Sequence, residues 1–264
     1  MFLSARNWIW EDGVGVAYSG TSFPSNAVLL SGNTAKQWKA TTAGTLGFTL
    51  GASREIGGVG VCFMTTGAAS SSSVTVRVRT GGAAGSIVAT AALDVAAVTI
   101  EELVQRAYSV FFAPVTGDYV EFVISGGMLP VHAFGFWVGA SLEFRRYTIE
   151  YLYDDPTDYQ STQTGTISGN RERITRTFTI ALQDVVETQS IGASSNGSST
   201  FQNLQDALGW AGLLPTILMR CDDIEFVDTL GDLEQTALVR LTNAAEIMHA
   251  SGPKFRVPLQ LKDA

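Results

Sequence analysis

Residues 26–65, NAVLLSGNTAKQWKATTAGTLGFTLGASREIGGVGVCFMT, decide the fold class. The stretch opens with a turn-rich segment around Gly32 and Asn33 and then gives two apolar runs, 46–50 and 56–64, separated by a polar bend. Short runs rich in apolar and β-branched residues, bounded by Gly, Ser and Asn, are typical of β-strands. The stretch therefore predicts paired strands and no helix.

Several later segments alternate between apolar and polar residues. In 73–79 the side chains of Val74, Val76 and Val78 share one face, opposite Arg77 and Arg79, which predicts a half-buried antiparallel strand. The same period predicts shared faces for two further sets of residues: Val120, Phe122 and Ile124, and Phe134, Phe136 and Val138. Strands at intervals of about 8 to 12 residues are typical of a β-sandwich, which we expect over residues 1–140.

The second half of the chain predicts a smaller β-rich assembly domain over residues 141–264. A strand over 141–155 leads into it, and a long exposed loop is expected over 156–170. Residues 173–182 alternate again, with Ile174, Phe178, Ile180 and Leu182 on one face. Apolar residues spaced as in a helix, followed by glycines, predict one short helix near 200–209. Further strands are expected at 215–220, 224–227, 236–241 and 255–261.

Trp8 and Trp10 lie on one side of any strand near the start of the chain, because side chains alternate along a strand. Two interpretations remain open. The segment is either a strand that enters the first sheet or an aromatic platform at the protein surface. We favour the strand.

The composition restricts the classes of partner. The chain has 264 residues and a formal net charge of −8, and its Lys and Arg residues form no large cluster, which argues against a nucleic-acid groove. Only 16% of residues are charged and mean hydropathy is positive, although no window approaches the ~20 apolar residues of a membrane span. Surface buried against other subunits explains both properties. The first residues do not resemble a secretory signal.

Residues for catalysis or metal binding are sparse. His132 and His249 show no metal-ligand spacing, no nucleophile elbow is present, and the acidic runs at 154–158 and 222–228 lack the order of a calcium loop. The sequence predicts no catalytic site, no metal and no cofactor. Cys62 and Cys221 either form a single disulfide or are two buried thiols, and we favour the thiols. The glycines of 57–60 predict a bulge or close backbone packing rather than a dinucleotide loop.

The segments SFPSNAVLLSGNTAKQWKA and GTLGFTLGASREIGGVGV resemble the opening half of galactose-binding-like (discoidin-type) jelly-roll domains. That family shows Ala-Leu-Asp-Gly-Asn, then Thr-x-Trp, then Asp-Leu-Gly. The counterparts here are 28–33 (VLLSGN), Trp38 and 49–51 (TLG), and neither aspartate of the pattern is present. The resemblance implies a jelly-roll β-sandwich over residues 1–140.

A second resemblance is to minor tail proteins of tailed bacteriophages. It rests on FGFWVGASLEFRR at 134–146, FQNLQDALGWA at 201–211 and KFRVPLQL at 254–261. It implies a structural virion component of the tail, tail tip, baseplate or neck, made in the host cytoplasm without a signal peptide. The implied partners are other copies in a ring-like homo-oligomer and other tail or neck proteins.

The alternative function is a lectin-like module that recognises a glycan of the bacterial surface. The candidate contacts are aromatic and polar residues near the expected rim of the sandwich: Asn33, Lys36, Trp38, Arg77 and Arg79. For Trp38 two interpretations are open, a platform for a sugar ring or an indole that caps the core, and we favour the core. An enzyme is the least favoured class.

Overall fold

The chain is mainly β, as predicted. The computed structural model describes residues 1–31, 36–67, 72–95, 106–154, 158–161, 167–170, 175–186, 216–221, 226–227, 233–234, 236–242, 248–251 and 254–263. The first ten strands are β1 (Phe2–Ser4), β2 (Gly13–Tyr18), β3 (Ser22–Phe23), β4 (Trp38–Ala40), β5 (Gly44–Thr66), β6 (Ser72–Thr80), β7 (Ser86–Val95), β8 (Arg106–Ile124), β9 (Val131–Ala133) and β10 (Gly135–Gly139).

The later strands are shorter on average. They are β11 (Leu142–Glu143), β12 (Tyr147–Asp154), β13 (Asp158–Ser161), β14 (Ile167–Asn170), β15 (Thr175–Val186), β16 (Ile217–Arg220), β17 (Phe226–Val227), β18 (Leu233–Glu234), β19 (Thr236–Leu241), β20 (Met248–Ser251) and β21 (Lys254–Asp263). Within the described residues the helical elements are α1 (Trp8–Asp12) and two 3₁₀ turns, Asn26–Leu30 and Gly126–Met128. No helix of the described residues has the length and apolar character to cross a membrane.

Strands β5 and β8 are long antiparallel partners that take part in both layers of a sandwich. The first half of β5 pairs with β2 and with the second half of β8, while its second half pairs with β10, β9 and the first half of β8. Register shifts interrupt the pair after Thr49, Ile56 and Val61. Bulges bend a strand, so the pair can fold over from one layer to the other. We call the layer of β2, β6 and β7 the front layer, and that of β3, β4, β9 and β10 the back layer.

Aromatic rings fill the space between the two layers. The Trp38 ring of β4 lies 5.2 Å from the ring of Tyr18 on β2 and 5.9 Å from that of Phe136 on β10. Phe136 in turn lies 4.9 Å from Phe122 of β8 and 5.6 Å from Phe48 of β5. Most of these pairs meet edge to face, the geometry that the ring quadrupoles favour. The inward faces of front and back layers therefore pack directly on each other.

The predicted alternation of strand residues holds where the structure describes it, while Ile174 of the predicted set lies outside the described residues. The side chains buried on the inward faces include Val74, Val76, Val78, Val120, Phe122, Ile124, Phe136 and Val138 in the sandwich, and Phe178, Ile180 and Leu182 in β15. Phe134 is half-buried, so only part of its predicted apolar face lies in the core.

A second sheet contains strands from both ends of the sequence. Its order is β11-β1-β16-β19-β21-β15-β12, and β20 also pairs with β21. β1 lies between two strands of the later half, with Phe2 opposite both Glu143 and Arg220. Residues 2–4 therefore belong to the second sheet by their hydrogen bonds. The division of the chain at residue 140 stays a prediction.

A small apolar cluster joins the sandwich to the second sheet. Cys62 of β5 and Trp137 of β10 are buried against Leu218 of β16 and Leu238 of β19. Close by, the hydroxyls of Ser109 and Thr236 lie 2.8 Å apart, and Arg220 Nη1 donates to the Ser109 carbonyl over 2.5 Å. Both cysteines, Cys62 and Cys221, are buried as predicted, and no disulfide joins them.

The glycines of 57–60 have the packing role that their position predicts. The register of β5 with β8 shifts between Ile56 and Gly58. A Cβ on Gly58 would lie 2.6 Å from Cε1 of Phe111, and one on Gly60 would lie 2.7 Å from the Tyr108 carbonyl oxygen. The backbone of β5 therefore approaches β8 closely at these positions, and the prediction of a bulge and close packing is confirmed.

The strand predicted around Trp8 and Trp10 is wrong, because these residues form helix α1. Asn7 caps the helix, since its Oδ1 accepts from the Ile9 amide at 3.2 Å while its Nδ2 donates to the Phe136 carbonyl at 2.7 Å. Asn7 thereby fixes the helix on β10. Trp8 is buried and Trp10 half-buried, with the Trp10 ring 5.5 Å from that of Trp137, so the alternative of a surface platform is wrong too.

The long loop predicted over 156–170 is also wrong in part. Asp158–Ser161 and Ile167–Asn170 pair as a two-stranded antiparallel sheet. The loop was predicted from the polar composition of the segment, but a hairpin needs only backbone hydrogen bonds and turn residues and can therefore be polar. The predicted helix near 200–209 and both acidic runs lie wholly or largely outside the described residues.

Candidate functional site

The outward face of the front layer carries a group of polar and aromatic side chains. Arg79 of β6 lies opposite Tyr119 of β8, and Arg77 lies opposite Glu121, one pair further along. On the other side of β8, Glu121 lies opposite Gly47 of β5. Residues in register on neighbouring strands share a face. We call these five residues, Gly47, Arg77, Arg79, Tyr119 and Glu121, the Tyr119 face.

Tyr119 lies across the neighbouring strand over Gly47. A Cβ on Gly47 would collide with the Tyr119 hydroxyl and lie 2.5 Å from its Cζ. The absence of a side chain at Gly47 therefore lets the phenol ring cover the β5 backbone, a use of glycine known from other sheets. Tyr119 is half-buried, so part of the ring remains accessible to solvent. Burial, together with the Glu121 charge, raises the pKa of Tyr119, and the hydroxyl is therefore a neutral donor and acceptor at pH 7.

Two arginines hold the carboxylate of Glu121. Its Oε1 accepts from Arg77 Nη1 at 3.1 Å and from Arg79 Nη2 at 3.0 Å. The Glu121 side chain is 8% exposed, against 37% for Arg77 and 19% for Arg79. Burial alone would raise the pKa of Glu121, but hydrogen bonds and charge from both arginines outweigh it and place the pKa below its ordinary value. Arg77, Arg79 and Glu121 together therefore carry a net charge of +1 near neutral pH.

The turn that joins β6 to β7 is fixed beside this face. Asp118, the residue before Tyr119, accepts from the amides of Gly81 at 3.1 Å and Gly82 at 2.9 Å, and both glycines have positive φ. Arg79 Nη1 also donates to the Gly85 carbonyl at 2.9 Å. The side chain of Arg79 thus bridges the turn and Glu121. The guanidinium groups are positioned before any ligand arrives, which lowers the entropic cost of binding.

Arg77 and Arg79 are the predicted contacts that the structure brings together. Trp38 is 0% exposed and its Nε1 donates to Asn26 Oδ1 at 2.8 Å, so no face of the indole is open to a sugar and it packs in the core. Lys36 is exposed just before β4, in the back layer. Asn33 lies outside the described residues. The predicted set therefore does not form one site.

Sequence reasoning missed Tyr119 and Glu121. A signal for both was present, because the inward alternation of Val120 and Phe122 places residues 119 and 121 on the outward face of the same strand. What the sequence does not supply is the register that sets them beside Arg77 and Arg79. In the described part of the chain, no three His, Cys, Asp or Glu side chains are grouped in a way that could hold a metal.

The Tyr119 face can form two kinds of contact with a ligand. The accessible part of the phenol ring offers an apolar surface with a polar tip. The guanidinium N–H groups and the carboxylate can donate to and accept from neighbouring hydroxyl groups, and bonds to charged groups are the stronger ones. Aromatic surface beside charged donors and acceptors fits a polyhydroxylated ring, which has an apolar C–H face and a hydroxyl rim.

The solved structures that are similar to this chain match about half of its length, so the likeness concerns only part of its fold. No family model and no curated protein matches the sequence. The lectin domain of lectinolysin complexed with Lewis B antigen covers 51% of this chain and 96% of its own, at 15% identity and a TM-score of 0.38.

Two further similar structures are bacterial. The family 32 carbohydrate-binding module from C. perfringens NanJ, in complex with galactose, covers 53% of this chain and 99% of its own, at 12% identity and a TM-score of 0.39. A Streptococcus pneumoniae fucose-binding module covers 51% and 94%, at 14% identity and a TM-score of 0.38. Such values do not assign the chain to a family, and the sugars named belong to those proteins.

Proposed function

We propose that this protein binds carbohydrate, and that the Tyr119 face is the binding surface. The observation that carries the proposal is the phenol ring of Tyr119 held over Gly47 beside the paired charges of Arg77, Arg79 and Glu121. The face lies on strands, so its geometry is fixed by the sheet. A hexose ring stacks its apolar face on Tyr119, while its hydroxyl rim exchanges hydrogen bonds with the guanidinium and carboxylate groups.

The ligand class follows from these contacts. A hydroxyl rim can donate to Glu121 and also accept from the guanidinium N–H groups of Arg77 that Glu121 does not use. The ligand class that matches this mixture of donors and acceptors is a neutral hexose of a surface glycan. The expected affinity is weak, because a single aromatic ring and a few exposed hydrogen bonds contribute only a few kcal/mol beyond the cost of association, which corresponds to Kd values of about 0.1–1 mM.

The test is binding of the full-length chain to an array of bacterial surface glycans, followed by calorimetric titration with each positive sugar. Tyr119→Ala is expected to weaken binding about tenfold, the upper end of what a single ring contact supplies. Arg77→Ala should weaken it comparably. The matched control is Arg240→Ala, which removes an exposed arginine from β19 of the second sheet and should leave the affinity unchanged.

Circular dichroism and thermal unfolding of each variant separate lost binding from lost structure. Unchanged affinity in a folded Tyr119→Ala variant would exclude this face as the binding surface. Absence of binding to any sugar of the array at millimolar concentration would remove the proposal altogether.

Assembly with other subunits is a second proposal, and one structural observation favours it. β7 is the last strand of its sheet among the described strands, it runs for ten residues, and Asp94 is its only charged residue. Ile87 and Val88 are 48% and 39% exposed on it. Edge strands of proteins that stay monomeric commonly carry Lys or Pro.

The virion location and the tail or neck partners rest on sequence resemblance and stay predictions. Light scattering of the wild type and of Val88→Lys tests self-association through β7.

A further inference from the structure

The outward face of the back layer carries a second row of side chains with a different chemistry. Phe23 of β3 lies opposite Lys39 of β4, and Lys39 lies opposite His132 of β9. The residues on either side of Lys39 and of His132 are buried in the core, so Lys39 and His132 themselves point outward. We call these three residues the Phe23 row. Neighbouring strands lie about 4.8 Å apart, so the row spans roughly 10 Å, the length of one or two sugar rings.

Phe23 is the most exposed large apolar residue described in the chain, at 77%. Its ring has no other aromatic side chain stacked on it among the contacts of the described residues. Most of the ring surface is therefore open to a ligand. Its neighbours in the row are half-buried, so they are held by the sheet rather than extended into solvent.

The row is locally basic in an acidic protein. The whole chain has a net charge of −8, yet Lys39 and His132 are side by side here. The residues two positions along the chain from each member of the row carry no carboxylate, and they are Thr21, Ser25, Gln37, Thr41, Pro130 and Phe134. The positive charge of Lys39 attracts an anionic group to this point.

We propose that the Phe23 row is a second binding site, and that its ligand is a saccharide carrying a carboxylate. The ring of one sugar stacks on Phe23, and the carboxylate lies one strand away, against the Lys39 ammonium and the His132 imidazole. The site is separate from the Tyr119 face, because Trp38 of β4 packs inward against Tyr18 of β2 and the two outward faces are on opposite sides of the sandwich. It goes beyond the proposed function, which concerns neutral sugars.

The charge state of His132 makes the affinity depend on pH. Burial, and then the charge of Lys39, lower the pKa of His132, so the imidazole is neutral at pH 7. Among the described residues its register partners are Lys39 on β4 and Thr65 on β5, of which Lys39 is the charged one. A carboxylate bound between Lys39 and His132 favours the protonated imidazole. Binding of an acidic sugar therefore strengthens as the pH falls from 7 to 5, where a sugar carboxylate stays ionised.

The test uses the full-length chain and two probes that differ by one carboxylated sugar, 3′-sialyllactose and lactose. Titrations followed by NMR at pH 5.5 should give a Kd for 3′-sialyllactose up to about fivefold lower than that for lactose, since a close charge pair at a surface contributes up to about 1 kcal/mol. Phe23→Ala and Lys39→Gln should each raise the Kd for the acidic probe several-fold. His132→Gln should abolish its change between pH 5.5 and 7.5.

Two matched control variants each remove a comparable group, an exposed apolar side chain or a positive charge, at positions outside the Phe23 row. Val14→Ala shortens another exposed apolar side chain, 68% exposed, and Arg256→Gln removes an exposed positive charge from β21. Neither should alter binding of 3′-sialyllactose. Equal affinity for both probes, or unchanged acidic-probe affinity in folded Phe23→Ala and Lys39→Gln variants, would overturn the inference.

The experiment can refute either of the two proposals without refuting the other. Tyr119→Ala should leave the preference for the acidic probe intact. If it abolishes that preference while Phe23→Ala has no effect, the acidic sugar binds at the Tyr119 face and this inference is wrong. If Tyr119→Ala changes nothing while Phe23→Ala removes binding of the acidic probe, the first proposal is wrong and this one stands.

Discussion

Gly47→Ala should displace Tyr119 without removing any atom that contacts a ligand. The new Cβ would lie 2.5 Å from Cζ of Tyr119 and closer still to its hydroxyl. Carbon atoms pack at about 3.5–4.0 Å, so the ring has to move by about 1 Å or more. Overpacking of this kind costs about 1–3 kcal/mol of the free energy of unfolding. Because the ring leaves its place over β5, glycan affinity should fall as far as it does in Tyr119→Ala.

A double-mutant cycle isolates the contact. In a Tyr119→Ala background the three side-chain atoms nearest to the new Cβ are gone, so alanine should be favoured over glycine in a strand by about 0.5–1 kcal/mol. The coupling energy between positions 47 and 119 should therefore be about 1.5–4 kcal/mol. Urea unfolding of the four proteins, followed by tryptophan fluorescence, measures it.

The control for this cycle is Gly15→Ala on β2. Its Cβ would lie 3.7 Å from Cβ of Thr49, an ordinary contact, so Gly15→Ala should raise the free energy of unfolding by about 0.5–1 kcal/mol and should do so with and without Tyr119. A cost for Gly47→Ala that is the same, within about 0.5 kcal/mol, with and without Tyr119 would refute the arrangement of the ring over the glycine.

Three further outcomes are expected. Trp38→Ala should lower the free energy of unfolding by about 3–5 kcal/mol, because the buried indole fills the core; a variant that unfolds like the wild type would contradict this. Glu121→Gln should cost about 1–2 kcal/mol at pH 7. Since the folded pKa of Glu121 is lowered, that difference is present above the unfolded value of about 4.3 and disappears as the pH falls through the folded pKa; urea titrations that show it unchanged at pH 2.5 would be incompatible. Burial raises the pKa of the Cys62 thiol to about 12, so iodoacetamide should label Cys62 at pH 8 only as fast as the protein opens; labelling at the rate of a free thiol would show that it is accessible.

Local patterns in the sequence were sufficient for much of the fold. Alternation over 73–79 and 173–182 identified β6 and β15 and their buried faces, because a strand with one buried face has apolar residues at every second position. The period failed at Trp8–Asp12, where a helix of five residues is too short to show its own. The capping residue Asn7 was the local signal that could have identified it.

The candidate site depended on information that the sequence holds only at long range. Arg77 and Arg79 were chosen for their position near the expected rim of a sandwich, but Glu121, which holds them, is more than forty residues away along the chain. The contact of Tyr119 with Gly47 spans a still longer separation and depends on the register of β5 with β8, which the intervening bulges reset. No window of ten or twenty residues contains that register. The role of Trp38 was ambiguous for a different reason, because core packing and sugar stacking both select an aromatic ring.

The position of β1 between β11 and β16 has a consequence for how the molecule is made. Phe2 leaves the ribosome early, yet one of its two strand partners, Arg220, emerges only when most of the polypeptide has been translated. Until β11 has been translated the β1 segment has no strand neighbour, and until β16 has been translated it has only one, a state in which chaperones commonly bind. A fragment that begins at residue 141 would likewise leave a gap in its sheet, which a peptide with the sequence FLS at its centre could fill in trans.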